Sequence, residues 1–336
     1  MPERFPVLPR ILPSAALVFR GALFCALLSL LSALGLPFSL ERLEARERPL
    51  RIISLYAAHT EIVLRLGSRD ALVGISHQET YDGPETEGWK RPPAFSAQDD
   101  IEKYLAARPD IILVRPQHLS SAPGLFQSLE NFGVKIWARQ IIHAEDLYGY
   151  WLELGKICGK DPEAWKMVDD FKAKLAPHEA RTASRSQKPG VFFESIYKEV
   201  KTFTPDSIPI WVLTVSGGRN VAADASPTRP GLIVAAYGPE RLLDKAAEID
   251  VLLSQEGPMN RVPLEVVTAR DIYKVLPAVK NGRVYKVPEV LVSRPTPSIL
   301  EGVELMERLL YPGDPVGEAA GPIPDASGAA LSAPAK

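Results

Sequence analysis

The stretch RIISLYAAHTEIVLRLGSRDALVGISH, Arg51 to His77, decides the fold. Arg51 to Leu55 is a short β-branched apolar run that reads as a buried strand. A turn follows, then Glu61 to Leu66 with apolar residues at helical spacing, stopped by Gly67. Ala71 to Ile75 reads as a second strand. Strand, helix and strand in this order predict a parallel sheet covered by helices.

Outward from this unit the pattern continues. A long loop runs to Gln98, Ile101 to Ala107 reads as a helix, Pro109-Asp110 as a turn, and Ile111 to Val114 as a strongly apolar strand. A helix around Leu125 to Phe132 leads into a strand at Val134 to Trp137. From His143 to about Ser184 no strand signal occurs, and Leu147, Trp151, Leu154, Ile157, Trp165, Val168, Phe171 and Leu175 recur at helical spacing, broken at Gly159 to Pro162. A rod of this length suits a spacer between two lobes.

Alternation resumes at Val191 to Ser195. It continues through a helix at Ile210 to Val215 closed by Gly217-Gly218, strands at Val251 to Ser254 and Val284 to Val287, and a last helix at Ile299 to Leu310. The expected fold is α/β: two Rossmann-like lobes with parallel sheets, residues 50–142 and 188–312, joined by a helical segment at 143–185.

The ends differ in kind. Arg10 and Arg20 precede an uncharged run from Gly21 to Phe38, which reads as an export signal over residues 1–38. At about 18 residues it is also just long enough to stay as an uncleaved anchor. Ser32, Ala33 and Gly35 suit a signal peptidase, whereas Cys25 follows Phe24 inside the apolar run, which argues against lipid attachment. After cleavage only Cys158 remains, so no intrachain disulfide is expected. A charged linker, Glu41 to Arg48, follows the leader. Residues 313–336, rich in Ala, Pro and Gly, lack apolar periodicity and read as a disordered tail.

In 336 residues, 46% hydrophobic and 24% charged, there is material for two cores. The net charge of −2 leaves no basic stripe for a nucleic-acid backbone. No G-x-G-x-x-G follows the first strand, and no G-x-S-x-G elbow, phosphate loop or H-E-x-x-H pair occurs, so the usual enzymatic signatures of α/β sheets are missing.

Ligands of parallel sheets bind beyond the carboxyl ends of the strands. In the first lobe those loops hold Tyr56 and His59, then His77, Gln78 and Tyr81, then Phe95 and Gln98, then Arg115, Gln117 and His118. Aromatic rings offer area, Arg115 can fork to a carboxylate, and Tyr81 or His59 can ligate iron. In the second lobe Tyr197, Thr204, Trp211, Gln255, Met259, Asn260 and Arg294 are the loop residues able to close a cleft. Asp99, Asp100 and Glu102 sit in a first helical turn, where the helix dipole favours acids with or without function.

The opening stretch, IEKYLAARPDIILV (Ile101 to Val114), SGGRNVA (Ser216 to Ala222) and LPAVKNGRVYKVP (Leu276 to Pro288) occur in an order that resembles the periplasmic solute-binding proteins of ABC importers for iron siderophores, haem and cobalamin. The resemblance covers about residues 50 to 310. It implies a class III architecture, a single long interdomain helix, small hinge motion, a monomer outside the cytoplasm, and delivery of cargo to a permease and its ATPase without catalysis.

The resemblance also implies an acidic docking residue on each lobe. Glu102 stands at the first-lobe position, but Thr214 occupies the second. Haem-binding relatives use a tyrosine where Tyr81 stands, and cobalamin binders often carry one there too. The expected cargo is an iron complex, a ferric siderophore or haem. A corrinoid is the alternative, suited by Gln78, Gln98 and Gln117, and an exported metal chelatase is the reading from another class. No resident cofactor is expected; iron or cobalt would arrive within the ligand.

Overall fold

The computed structural model describes residues 49–314 apart from Pro230 and Met259, so the leader, the linker and all but the first two residues of the tail lie outside the described residues. Among the described residues no helix is long and apolar enough to cross a membrane.

The first lobe is built on β1 (Ile52–Ser54), β2 (Leu72–Ser76), β3 (Ala94–Phe95), β4 (Ile111–Val114) and β5 (Lys135–Ala138), all parallel in the order β3-β2-β1-β4-β5. Ile52, Ile53, Ile112 and Leu113 are fully buried, which is why these strands read as unbroken apolar runs. Helix α1 (Ala57–Arg65) links β1 to β2, α2 (Ile101–Ala107) precedes β4, and α3 (Pro116–Ser121) and α4 (Pro123–Asn131) link β4 to β5. Gly67 takes φ +71 just past α1, a conformation that favours glycine. Arg51 donates to the carbonyls of Ala107 and Arg108, satisfying the end of α2 from the start of β1.

Two departures from the sequence reading matter for the site. Helix α1 begins at Ala57 rather than Glu61, and α3 occupies what reads as open loop after Arg115.

The connector comprises α5 (Leu147–Cys158) and α6 (Asp161–Ser184), separated at Gly159, whose φ is +66. With 24 residues α6 spans about 36 Å. It ends at Ser184, inside the helical segment expected over 143–185. Its buried stripe, Val168, Phe171, Leu175, His178 and Thr182, follows helical spacing. Phe171 packs edge-on to Trp151 of α5, with ring centres 5.0 Å apart. Thr182 donates to the Val215 carbonyl at 2.5 Å, while His178 and Arg181 meet Glu307 at 2.9 and 2.8 Å.

The second lobe begins with β6 (Gly190–Glu194), β7 (Lys201–Phe203), α7 (Ile208–Val215), β8 (Arg219–Asn220), β9 (Ser226–Pro227), β10 (Val234–Ala236) and α8 (Pro239–Asp244). It continues with β11 (Val251–Glu256), α9 (Leu264–Thr268), α10 (Asp271–Lys274), α11 (Pro277–Lys280), β12 (Val284–Pro288), α12 (Glu289–Val292) and α13 (Ile299–Leu310). A parallel sheet of order β12-β11-β6-β8 is the counterpart of the first. The lobe also carries an antiparallel sheet of order β7-β10-β9, which the expectation of purely parallel sheets does not include. Its strands are only two or three residues long and too short to show an alternation. Gly302 lets α13 approach α12, since a Cβ there would lie 2.0 Å from the Leu291 carbonyl oxygen.

One apolar cluster runs through Ile52 and Leu113 of the first sheet, Trp151 and Phe171 of the connector, and Phe193 and Leu253 of the second sheet. Within it the Trp151 indole donates to the Pro295 carbonyl at 2.8 Å. Replacing Trp151 with Phe orphans that buried carbonyl and is expected to lower stability by about 1–3 kcal/mol, read from the urea midpoint at unchanged slope.

Candidate ligand-binding cleft

In the first sheet the strand order reverses between β1 and β4, and ligands of such sheets bind where this happens. Tyr56 follows β1 and Arg115 follows β4. The Arg115 guanidinium lies over the Tyr56 ring, 4.6 Å from its centre. Burial pushes the Tyr56 phenol up to about 12, against the pull of Arg115, so it stays a hydroxyl donor.

His59 sits elsewhere than the sequence suggests. Because α1 starts at Ala57, His59 falls in the first helical turn facing the sheet and is fully buried. Its ring lies 5.0 Å from Tyr56, 5.2 Å from Trp137 and 5.8 Å from Tyr150. Nε2 is 3.2 Å from the Arg139 carbonyl, which fixes that nitrogen as the N–H donor, and Nδ1 has no partner. Burial lowers its pKa to about 3. His59 is therefore a neutral ring under the floor of the cleft, and its reading as a rim or iron ligand is corrected.

Tyr81, the other candidate iron ligand, is hydrogen-bonded within the first lobe. Its hydroxyl donates to Glu85, and burial, with Glu85 next, holds the phenol far above its ordinary range. Arg65 lies 5.5 Å from the ring centre and joins Glu61 at 2.9 Å, Glu85 at 3.5 Å and Ser298 of the second lobe at 3.0 Å. The Tyr81 hydroxyl is thus engaged with Glu85, and its ring with Arg65, inside the first lobe.

His118 caps α3: its Nδ1 accepts the Arg115 N–H at 3.1 Å. Burial, then Arg115, lowers its pKa to about 4, so the neutral ring carries its proton on Nε2 and presents a donor rather than a lone pair. His77, Gln78, Gln98 and Gln117 are exposed on the rim. The Gln98 side chain is partly used, accepting from Ser96 at 2.9 Å.

Glu79, absent from the sequence candidates, lies between Gln78 and Tyr81. One carboxylate oxygen accepts the N–H groups of Thr80 and Tyr81 at 3.0 and 2.8 Å, and the other is buried without a partner. Burial raises its pKa. Only its place in a strand-end loop could have flagged it.

From the second lobe comes Arg294, two residues past α12 and only 8% exposed. Its charge is felt at Tyr56 and Glu79 of the first lobe, at Tyr56 alongside the opposing charges of Glu289 and Glu61. No hydrogen bond or ion pair engages its guanidinium among the described residues. Arg115 is in no ion pair either, and its Nε is buried without a partner.

Tyr197 is half-buried after β6, and its N–H donates to Asn260 at 3.3 Å. Gln255 accepts from Ser293 at 3.3 Å, Thr204 is buried, and Trp211 lies half-buried against the shared core. Met259 lies outside the described residues. Phe95 is buried, 4.9 Å from Tyr104, and does not reach the rim. Glu102 is exposed on the first turn of α2, and Thr214 is exposed on α7 with its hydroxyl on the Ile210 carbonyl at 2.8 Å. Among the described residues no three His, Cys, Asp or Glu side chains group so as to hold a metal ion.

The family model described as periplasmic binding protein matches residues 52–291. The chain belongs to this family. Among its relatives is an uncharacterized ABC transporter substrate-binding lipoprotein of Bacillus subtilis, YvrC, 26% identical over 80% of this chain and 82% of that protein. A vitamin B12-binding protein of Vibrio cholerae is 27% identical over 76% of this chain and 86% of its own length. A solved structure described as a possible iron-binding, periplasmic solute-binding protein of Staphylococcus epidermidis superposes with a TM-score of 0.67 at 26% identity, covering 78% of this chain and 98% of that one. The chain is accordingly an extracytoplasmic substrate-binding component of an ABC importer, of the class III architecture, and its partners are a membrane permease and its ATPase.

His59 supplies a pH test of the floor. Its pKa is depressed from 6.5 to about 3 in the folded state, so the unfolded chain binds more protons between those values. Its contribution is complete above pH 6.5 and is lost as pH falls, at about 1.4 kcal/mol per pH unit. Urea midpoints are expected to drop from pH 7 to pH 5, and His59→Phe to flatten that slope.

Proposed function

We propose that the cargo is an anionic metal chelate with no open coordination position, a ferric siderophore in the first place. The observation that carries this reading is the pair Arg115 and Arg294, one lying over the Tyr56 ring and the other, from the second lobe, near enough for its charge to be felt there, with neither in an ion pair among the described residues. An arginine as buried as Arg294 costs several kcal/mol unless an anion offsets its desolvation, and a guanidinium fork suits carboxylate or phenolate oxygens. Tyr56 adds a hydroxyl donor between them.

The state of the candidate metal ligands supports the same choice. His59 is enclosed, Tyr81 is bound to Glu85, and His118 presents an N–H. A chelate that keeps all its own donor atoms asks none of them for a bond, whereas haem needs an axial ligand. Iron thus arrives within the cargo, and the chain holds no cofactor of its own and performs no reaction. In this reading residues 50–142 and 188–312 are the jaws of a monomer that binds no nucleic acid, and 143–185 is the strut. Glu102 meets the permease, with Thr214 leaving the second lobe without a matching acid.

A corrinoid is the second reading. It is favoured by the relatives named vitamin B12-binding proteins and by the exposed amides of Gln78, Gln98 and Gln117.

Calorimetry with a ferric tricatecholate, a ferric citrate-type chelate and cyanocobalamin separates these readings. The ferric chelates are expected to bind, and Arg115→Met and Arg294→Met each to weaken them about ten- to a hundredfold. Tight cyanocobalamin binding with no response to either ferric chelate would transfer the assignment to the corrinoid.

A further inference from the structure

The second lobe buries a carboxylate that takes no part in the cleft described above. Glu194, the last residue of β6, has no exposed surface. A lone carboxylate in such a place is costly, and this one is surrounded by donors: Ser254 at 3.1 Å, Arg270 at 3.5 Å and the Tyr273 hydroxyl. Burial raises its pKa, and these three partners oppose the rise.

Two of the partners reach onward to one residue. Arg270 donates from the same Nη1 to the Tyr197 carbonyl. Ser254 accepts from Asn260 Nδ2 at 3.2 Å, and Asn260 Oδ1 accepts the Tyr197 N–H at 3.3 Å. Asn260 also donates to the Gln255 carbonyl at 2.7 Å, which anchors it to β11. Both peptide groups of Tyr197 are thus held by chains that begin on Glu194. Val200, with φ +51, closes the same turn in the left-handed region, a strained backbone that needs such outside support.

Tyr197 stands beyond the carboxyl end of β6, the strand that pairs with β11 at the centre of the second sheet. We infer that Glu194 is a positioning residue for cargo binding, fixing through Arg270 and Asn260 the turn that carries Tyr197 as the second-lobe jaw. The inference rests on the cleft being the cargo site. Its physical basis is that a fully satisfied buried network holds a loop in one arrangement, so that less ordering cost falls on binding.

The test uses the full chain with Glu194→Gln, which keeps shape but removes the charge that grips Arg270. Arg270→Gln is the second variant and removes the other end of the same contact, at a side chain that is 23% exposed. Amide exchange at residues 196–201 is expected to quicken about ten- to a hundredfold, with residues 111–114 unchanged. The dissociation rate of bound ferric tricatecholate is expected to rise about tenfold. Mere destabilisation would instead lower the bound fraction at an unaltered dissociation rate.

Exchange at 196–201 that stays at the wild-type rate in both variants overturns the inference. So does a loosened turn with an unaltered dissociation rate. If Glu194→Gln does not fold, Arg270→Gln decides alone. A wild-type chain that binds none of the chelates overturns the cargo reading, and exchange at 196–201 then decides whether Glu194 holds the turn.

Discussion

The Trp151 indole and the Pro295 carbonyl, 2.8 Å apart and sealed from water, are the contact on which the cleft depends. Trp151 belongs to the connector, and Pro295 is the neighbour of Arg294. Ser298, three residues on, donates to Glu61 of α1 at 2.6 Å and accepts from Arg65 at 3.0 Å. The segment that carries the second-lobe arginine is therefore pinned to the first lobe and to the strut on both sides of Pro297. Without those pins Arg294 would swing into water, where its charge is best solvated. With them it stays beside Tyr56, and the guanidinium must find its compensation in whatever enters the gap.

The two sides of the cleft treat their polar groups differently. On the floor, His59 Nδ1, Tyr150 Oη, Arg115 Nε and one oxygen of Glu79 are buried without partners, as is the Thr296 hydroxyl beside Pro295. Native proteins leave few such atoms, because each costs about 1–3 kcal/mol. Around Glu194 the buried groups are bonded to one another instead.

Much of the fold is legible in the sequence because its strands are buried on both faces. Ile111–Val114 and Ile299–Leu310 begin and end where apolar spacing puts them. The start of α1 is hidden, since no side chain caps Tyr56 and the apolar spacing becomes clear only after Glu61. That single turn is what converts His59 from a rim residue into a floor residue. The antiparallel strands are too short to carry a pattern, and Glu79 looks like any solvated loop acid until the fold encloses it.

Arg294 illustrates what a sequence cannot encode locally. Its place in a strand-end loop is readable, but its lack of an ion-pair partner among the described residues is a property of two lobes meeting. Glu79 is near enough to be felt, yet its own oxygen is spent on the amides of Thr80 and Tyr81, and burial raises its affinity for a proton. Both signs of charge are felt at Tyr56, Arg115 and Arg294 against Glu289 and Glu61. What sets the two arginines apart is that neither is spent on an ion pair among the described residues, so each guanidinium fork stays open to the oxygens of an anionic chelate, which a ring of amides does not supply.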